Sequence, residues 1–551
     1  MTVVSHFIEI FLKENKWNFI LLVVTNLIIN LTQSNGMTFL TANIINSVQK
    51  GNYSVAITFF KYFIIVAVFY IIMNYHFRIM MSNMLNTLRQ WVRYQLVRIL
   101  VLTNNENFSG MNFSKLNSPI NRASVTCYSI FSDLIEDLLP ILTFWFVVTC
   151  YFFYHNKWFG IGFLLGNVTL VLYIASQWND MVKTNMDYEN NVFTTEFHIT
   201  EIMNNMDKII YRGKHADEMK TFSEERDKNV ELSNVYYKQT SWHLLVGNAI
   251  VLFVMAACIL YLTHLYSRKK ISITVFITFF TLLILYRDKS ATALSQIPPF
   301  IDFIGRSQIV EDNFGDVLKK YNEQLAKSHL TVDLPFSHAK FQDVSFKYEK
   351  TDKIIFDHFN LDIHLTGNKI IGITGISGKG KSSLAKLLIK LYSPTAGKVY
   401  IDGHDVSDLS TEYIRANITY VNQNSKLFDK NILDNIMYGC IDPDKCNTFY
   451  KEIVKYPKIR ELYQNIDMEK TNVGPLGEKL SGGQRQVVNL MGGLVNPSKI
   501  LILDEPTNAL DAELKQDILS IIRDFKQYKQ CILIITHDQE VHSLFDEKIE
   551  I

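Results

Sequence analysis

The sequence predicts an all-α membrane domain of six transmembrane helices with long cytosolic extensions, followed by an α/β domain built around a phosphate-binding loop. Three observations carry this. Long apolar runs fill residues 1–310 and stop there. From Thr331 short β-rich runs alternate with amphipathic helices, the pattern of a largely parallel sheet. Within that second region, "IIGITGISGKGKSS" reads as strand, glycine loop and helix in succession.

The 551 residues suffice for about two to four domains. A net charge of +1 gives no reason to expect a nucleic-acid partner. The six cysteines include no CxxC pair, which argues against a zinc site. They are expected to be free thiols in a reducing compartment.

A bilayer core of roughly 30 Å needs about 20 apolar residues in a helix. Six stretches qualify, near 17–45, 55–80, 129–154, 158–178, 241–266 and 272–300. Lys13 and Lys16 precede the first without a small-residue cleavage site, so it is read as an uncleaved span. An even number of spans leaves both termini, and the C-terminal domain, on the cytosolic side. Arg78, Arg89, Arg93, Arg98 and Arg122 fall between spans two and three; Lys208, Arg212, Lys214 and Lys220 fall between spans four and five. Both segments are therefore cytosolic by the positive-inside rule. Arg268, Lys269 and Lys270 disagree, lying on the outer side in this topology. The inner segments 81–128 and 179–240 are long, charged and helix-compatible, and imply helices projecting well beyond the bilayer. Residues 311–330 are polar and read as a helical linker; residues 331–551 form the second domain.

In the glycine loop, Gly375, Ser377, Gly378, Gly380, Lys381 and Ser382 fit GxxxxGK[ST], with Ser383 next in the helix. The glycines let backbone N–H groups face phosphate oxygens, and the helix N-terminus adds positive potential. Lys381 is positioned for the β- and γ-phosphates, and the Ser382 hydroxyl for Mg²⁺. "KILILDEPTNALD" supplies a second apolar strand ending in Asp504 and Glu505. Asp504 is a Mg²⁺ ligand candidate, and Glu505 is the candidate base for an attacking water. "CILIITHD" ends a third strand at His537, placed for the γ-phosphate.

The order Gly375–Ser382, Gln423, "LSGGQ" at Leu480–Gln484, Asp504-Glu505, Asp511 and His537 resembles the nucleotide-binding domain of ABC transporters over about 335–551. The six-span layout before it resembles type IV ABC exporters. The resemblance implies an ATPase with ATP and Mg²⁺ as cofactors. It makes Tyr348 the aromatic that stacks on adenine, and Gln423 a sensor of Mg²⁺ and γ-phosphate. Asn508–Asp511 becomes a loop at a subunit boundary. It further implies that Ser481, Gly482, Gly483 and Gln484 close over ATP held by a second chain. One such domain per chain then means a half-transporter that pairs head to tail, most simply as a homodimer with two hydrolysis-competent sites. The implied function is ATP-driven export or lipid flipping, with membrane lipids around it and a cargo the sequence does not name. The alternatives are an ATP-gated channel or regulatory subunit, or an importer. The tips near Asn107–Ile120 and Glu201–Lys214 are the expected relays to the membrane helices.

Two motifs depart from the family pattern. "TNVGPLG" at 471–477 has Asn472 and Pro475 where glutamates are common, and "THD" at 536–538 replaces the exporters' usual AHR. In the membrane region, Asn26, Asn30 and Gln33 share one face of the first span, with Asn35 and Asn43 beyond. They line a path or glue helices together. Arg287, Asp288 and Lys289 either interrupt the sixth span or mark its end near Tyr286, and Pro298-Pro299 breaks the helix beyond.

Overall fold

A computed structural model describes residues 3–102, 114–326, 332–348, 351–376, 378–423, 426–508 and 510–551. The chain forms two compact units, one reaching Gln324 and the other running from Leu325 to Ile551.

Among its described residues the first unit has helices and no strand. Its elements are α1 (Val3–Glu14), α2 (Lys16–Leu31), α3 (Thr38–Gln49), α4 (Tyr53–Leu102), α5 (Ser114–Asp133) and α6 (Leu139–His155). There follow α7 (Lys157–Asn204), α8 (Met206–Arg212), α9 (His215–Ser267), α10 (Ile273–Ser295) and α11 (Ile297–Ala326). Helices α4, α7 and α9 have 50, 48 and 53 residues. At 1.5 Å per residue each is over about 70 Å long, more than twice a bilayer core. That length is the extension expected from the charged inner segments. Their apolar parts keep large side chains exposed, such as Ile65, Phe253 and Leu260, as a lipid-facing surface requires.

Six spans were expected; four stretches among the described residues are long and apolar enough to cross a bilayer. They are Tyr53–Leu102, Pro119–His155, Lys157–Asn204 and His215–Ser267. The first expected span is divided, with a π-helical segment at Thr32–Met37 between α2 and α3. The sixth is α10, whose charged triplet lies inside the helix. The helix therefore does not end at Tyr286. It continues to Ser295, and the chain breaks at Gln296 before α11, whose second and third residues are the two prolines.

Turns between helices follow capping rules. Asn156 alone separates α6 from α7, and its side chain accepts from Phe159 N at 3.0 Å. Phe152, Phe159, Phe163 and Phe279 form an aromatic core beside it, with ring centroids 4.4–5.0 Å apart. The Glu201–Lys214 tip is a tight crossing: α7 ends at Asn204, α8 spans seven residues, about two turns, and Gly213 at φ 61° lets α9 start back. Residues 103–113, which include the first half of the other expected relay, Asn107–Ile120, lie outside the described residues.

Charge is buried where the extensions meet. Glu189 of α7 accepts from Arg122 of α5 at 3.2 Å and from Arg306 of α11 at 3.0 Å. Arg122 also pairs with Glu196 at 2.6 Å. Two cations on one buried carboxylate satisfy its lone pairs and fix the rotation of three helices. The stretch read as a linker is, to Ala326, the end of α11; Phe314 and Val317 pack into the same core as Val3, Phe7 and Phe11.

Among its described residues the second unit has nine strands: β1 (His338–Lys347), β2 (Ile354–His364), β3 (Lys369–Thr374), β4 (Ala396–Ile401), β5 (His404–Asp405), β6 (Ile418–Val421), β7 (Ile500–Asp504), β8 (Cys531–Ile535) and β9 (Glu547–Glu550). β2-β1-β4-β5 is an antiparallel sheet and β6-β7-β8-β3-β9 a parallel one. β7 and β8 are buried at every residue, as apolar runs in a covered parallel sheet should be. The helices are α12 (Lys381–Leu388), α13 (Thr411–Asn417), α14 (Ile432–Ile436), α15 (Pro443–Ile453), α16 (Pro457–Leu462), α17 (Gly482–Val495) and α18 (Ala512–Phe525).

One cysteine expectation fails. Cys440 and Cys446 form a disulfide, while Cys127, Cys150, Cys258 and Cys531 are free. No spacing rule flags a pair six residues apart. The turn at Gly439 (φ 85°) and the Asp442 cap at the start of α15 bring the two sulfurs together.

Candidate functional site

In a parallel sheet all C-terminal strand ends lie on one edge, and ligands bind there. The spatial order β6-β7-β8-β3 brings four sequence-distant loops side by side. Register makes the alignment close: Asp504 pairs with Ile535, and Ile535 with Ile373. Asp504-Glu505, Thr536-His537 and the loop after Thr374 therefore leave the sheet at the same level. Gln423 follows β6, exposed, two residues past the strand end.

Gly375, Gly378 and Gly380 adopt φ 145°, 83° and 101°, and Gly380 caps α12. A Cβ on Gly380 would lie 2.7 Å from Ile355 and 2.8 Å from Phe356, so the loop cannot carry a side chain there. Ser377 lies outside the described residues. Lys381 is buried, and its ammonium donates to Gly375 O at 2.8 Å and Ile376 O at 3.2 Å. No carboxylate pairs with it among the described residues. A buried cation at a helix N-terminus, ringed by a glycine loop, fits a polyphosphate. Ser382 follows in the first turn of α12. The Ser383 hydroxyl shares a 2.7 Å hydrogen bond with the Tyr348 hydroxyl. The Tyr348 ring packs edge-on against Tyr392 and Phe346, at 4.8 and 5.0 Å between centroids, and stands next to the loop's helix.

Asp504 is buried, and the Tyr420 hydroxyl of β6 donates to its Oδ2 at 2.8 Å. Burial raises the Tyr420 pKa, and the neighbouring carboxylate raises it further. The oxygen donors of Asp504 and Ser382 suit a hard cation such as Mg²⁺. Glu505 sits at φ 49°, in the left-handed region, held by its N–H to Ile535 O at 2.8 Å. Its carboxylate meets His537 Nδ1 at 2.6 Å and accepts from Thr536 Oγ1 at 3.2 Å. A side chain fixed this way, on backbone held in the left-handed region, has its position set before any ligand arrives.

The signature segment heads α17. Ser481 Oγ accepts from Gln484 N at 3.2 Å, and Gln484 Oε1 accepts from Ser481 N at 2.9 Å, a reciprocal capping box. Ser481 and Gly482 are exposed, and Gly483 follows in the first turn. Arg485 anchors the approach by donating to Leu480 O at 2.7 Å and Gly477 O at 3.2 Å. Asp511 caps α18, accepting from Leu514 N at 2.8 Å.

The sequence alone did not single out Tyr420, Thr536 or Asp538 as supports. Asp538, noted only as a departure, accepts from Lys515 at 2.6 Å and from Thr507 at 3.1 Å. Burial raises its pKa, but the donors from Lys515, the Glu540 backbone and Thr507 outweigh that and hold it below the usual range. The aspartate thus ties the loop after β8 to the segment following Glu505. The legible signal was position: Tyr420 lies three residues before Gln423, on the strand that feeds that loop.

Residues 358–508 match the family model described as ABC transporter, and residues 16–288 match the one described as ABC transporter transmembrane region. The chain is an ABC transporter. Relatives of this ABC transporter include the uncharacterized ABC transporter ATP-binding protein YfiB of Bacillus subtilis, 29% identical over 60% of this chain and 55% of that protein. The ATP-dependent lipid A-core flippase of Methylococcus capsulatus is 37% identical over 36% of this chain and 32% of the flippase. The alpha-hemolysin translocation ATP-binding protein HlyB of Escherichia coli is 35% identical over 40% of this chain and 31% of HlyB. The matched stretches thus span from about a third to just over half of these relatives' lengths. Among solved structures, a bacterial Atm1-family ABC exporter with ATP bound has the same fold, with a TM-score of 0.78 at 19% identity over 98% of this chain and 93% of that one. The transporter is accordingly an integral membrane protein with an ATP-binding domain.

Proposed function

We propose that this chain is one half of an ATP-hydrolysing exporter or lipid flippase, working as a head-to-tail pair. The observation that carries the reading is the Glu505–His537 contact, 2.6 Å, on the sheet edge that also bears the Lys381 loop. In this reading Glu505 takes the proton of the attacking water. His537 bridges Glu505 and the γ-phosphate through its two ring nitrogens. Lys381 exchanges its two carbonyl partners for phosphate oxygens. Mg²⁺, held by Ser382, Asp504 and Gln423, would neutralise developing phosphate charge. Tyr348 takes the adenine face.

The Ser481–Gln484 segment, exposed at Ser481 and Gly482 and closed by its own capping box, closes on the nucleotide of a second copy. Exposed Ile376 in the phosphate loop and exposed Leu476 before the signature support such a covering. The divided helix α2–α3 and helix α10 serve as spans one and six, and place both termini in the cytosol. The domains are 1–310 and 331–551, joined by 311–330, whose residues to Ala326 continue α11, and α8 is the relay between hydrolysis and the membrane helices. Like-charged products separate the pair after hydrolysis. The relatives named as flippase and translocation proteins support outward movement of cargo.

The test is hydrolysis by the purified chain in lipid nanodiscs. Glu505→Gln is expected to lower turnover by about 10²-fold or more while nucleotide still binds. Lys381→Ala and Ser481→Arg chains should each be inactive, yet regain activity when mixed, because one mixed pair contains one intact site. Unchanged turnover in Glu505→Gln, or no recovery on mixing, overturns the base or the head-to-tail arrangement respectively.

A further inference from the structure

We propose that the helical unit binds a bulky lipophilic organic cation as cargo, in a cavity walled by α6, α7, α10 and the start of α11. The proposal rests on the transport reading above. The cavity holds about 520 Å³, within the range of small-molecule sites. Its walls are apolar and aromatic, with Ile141, Trp145, Trp178 and Phe300 among them. Among the described residues the charged ones lining it are Asp133 and Asp137, the first capping and the second within one π-helical segment, Leu134–Leu138. One oxygen of Asp133 is buried with no hydrogen-bond partner among the described residues.

Two carboxylates facing a poorly solvated space are costly unless a cation joins them. Among the described residues no cationic side chain forms an ion pair with either of them. Lys289, next in sequence to the wall residue Ser290, is directed elsewhere: it donates to Gln33 at 3.4 Å and lies 6.0 Å from the Phe144 ring centre. Ser290 itself is occupied by the Trp145 N–H at 3.2 Å. The turn bearing the aspartates is pinned from its other side, where Asn26 donates to Ile135 O at 3.0 Å. This resolves the choice for Asn26 in favour of interhelical glue, and it keeps the two aspartates in the wall.

The complement of this cavity is an apolar body with a delocalised positive charge, attracted by the carboxylates and by the aromatic faces. An acyl chain would fill the walls and leave both carboxylates unpaired. An anionic amphiphile would be repelled. Charge therefore selects among apolar ligands of similar size.

The test uses the full chain in zwitterionic nanodiscs, with binding to empty discs subtracted. Tetraphenylphosphonium and tetraphenylborate share a shape and differ in sign. The phosphonium is expected to bind saturably and the borate not. Asp133→Asn with Asp137→Asn should weaken phosphonium binding by about tenfold or more. Ala293→Phe, which fills the cavity and leaves both carboxylates, should abolish it; this variant and Asp137→Asn alone carry the test if the double variant fails size-exclusion. Equal binding of the two ions, wild-type affinity in the aspartate variants, or full binding in Ala293→Phe each overturns the proposal. Hydrolysis by the wild type without either ion is measured in parallel. Charge-selective binding without hydrolysis would sink the transport reading and keep the site; the reverse would sink the site alone.

Discussion

Tyr420→Phe removes one oxygen and one hydrogen bond, to the carboxylate at the end of β7. The bond is 2.8 Å, and its acceptor, Asp504, is buried. Hydrogen bonds to charged groups contribute about 1.5–3 kcal/mol, or roughly 10- to 150-fold in an equilibrium governed by that carboxylate's position. Phenylalanine fills the same space, so the loss is not a packing defect. If Asp504 is a Mg²⁺ ligand, losing the group that orients it should raise the half-saturating Mg²⁺ concentration for hydrolysis by about tenfold or more, the usual range for second partners of metal ligands. The assay is a Mg²⁺ titration of ATP turnover at saturating nucleotide, alongside a thermal melt. The expected result is a displaced Mg²⁺ curve with a melting temperature changed by only a few degrees. An unchanged Mg²⁺ curve would refute the chain of reasoning from Tyr420 to Asp504 to metal.

Gly305→Ala should destabilise the helical unit despite the helix-favouring residue. Its Cβ would stand 2.2 Å from Asn185 Oδ1, whose side chain is buried and bonded to Asp302 at 2.6 Å; overpacking of about 1–3 kcal/mol exceeds the roughly 1 kcal/mol propensity gain, giving a lower melting temperature. Lys529 is buried, with carbonyl acceptors at Asn496 and Ser498, and burial pushes its pKa down to about 8. Between that value and the ordinary one near 10.5, the unfolded chain holds a proton that the folded chain has released. Stability of the nucleotide-binding unit should therefore rise with pH across that window, and Lys529→Met should flatten the slope in denaturation series from pH 7.5 upward. Thiol titration of the oxidised, denatured chain should count four thiols, and six after reduction, which checks the Cys440–Cys446 bond.

The phosphate loop, the carboxylate pair and the signature were legible in sequence because each is a local pattern with its chemistry in neighbouring residues. Glycines at 375, 378 and 380 announce backbone that must turn and approach a ligand. Asp504-Glu505 at the end of an apolar strand announces charge on a sheet edge. Supports reaching across the sheet were not legible. Tyr420 meets Asp504 from 84 positions away, and Asp538 meets Thr507 from 31. Their pairing depends on strand order and register, which no local spacing records.

The sequence by itself determined that a membrane-embedded helical region precedes an ATP-binding domain, because apolar run length and motif order are one-dimensional quantities. Only the tertiary structure decided that the first expected span is divided, that α10 passes through its charged triplet, and that Cys440 finds Cys446. It alone placed Glu189 between two arginines from different helices and gathered Asp133 and Asp137 beside Trp145 and Phe300. The physical reason is common to all of these. Burial, ion pairing and cavity shape are set by what a side chain meets in space, and most of those partners are distant along the chain.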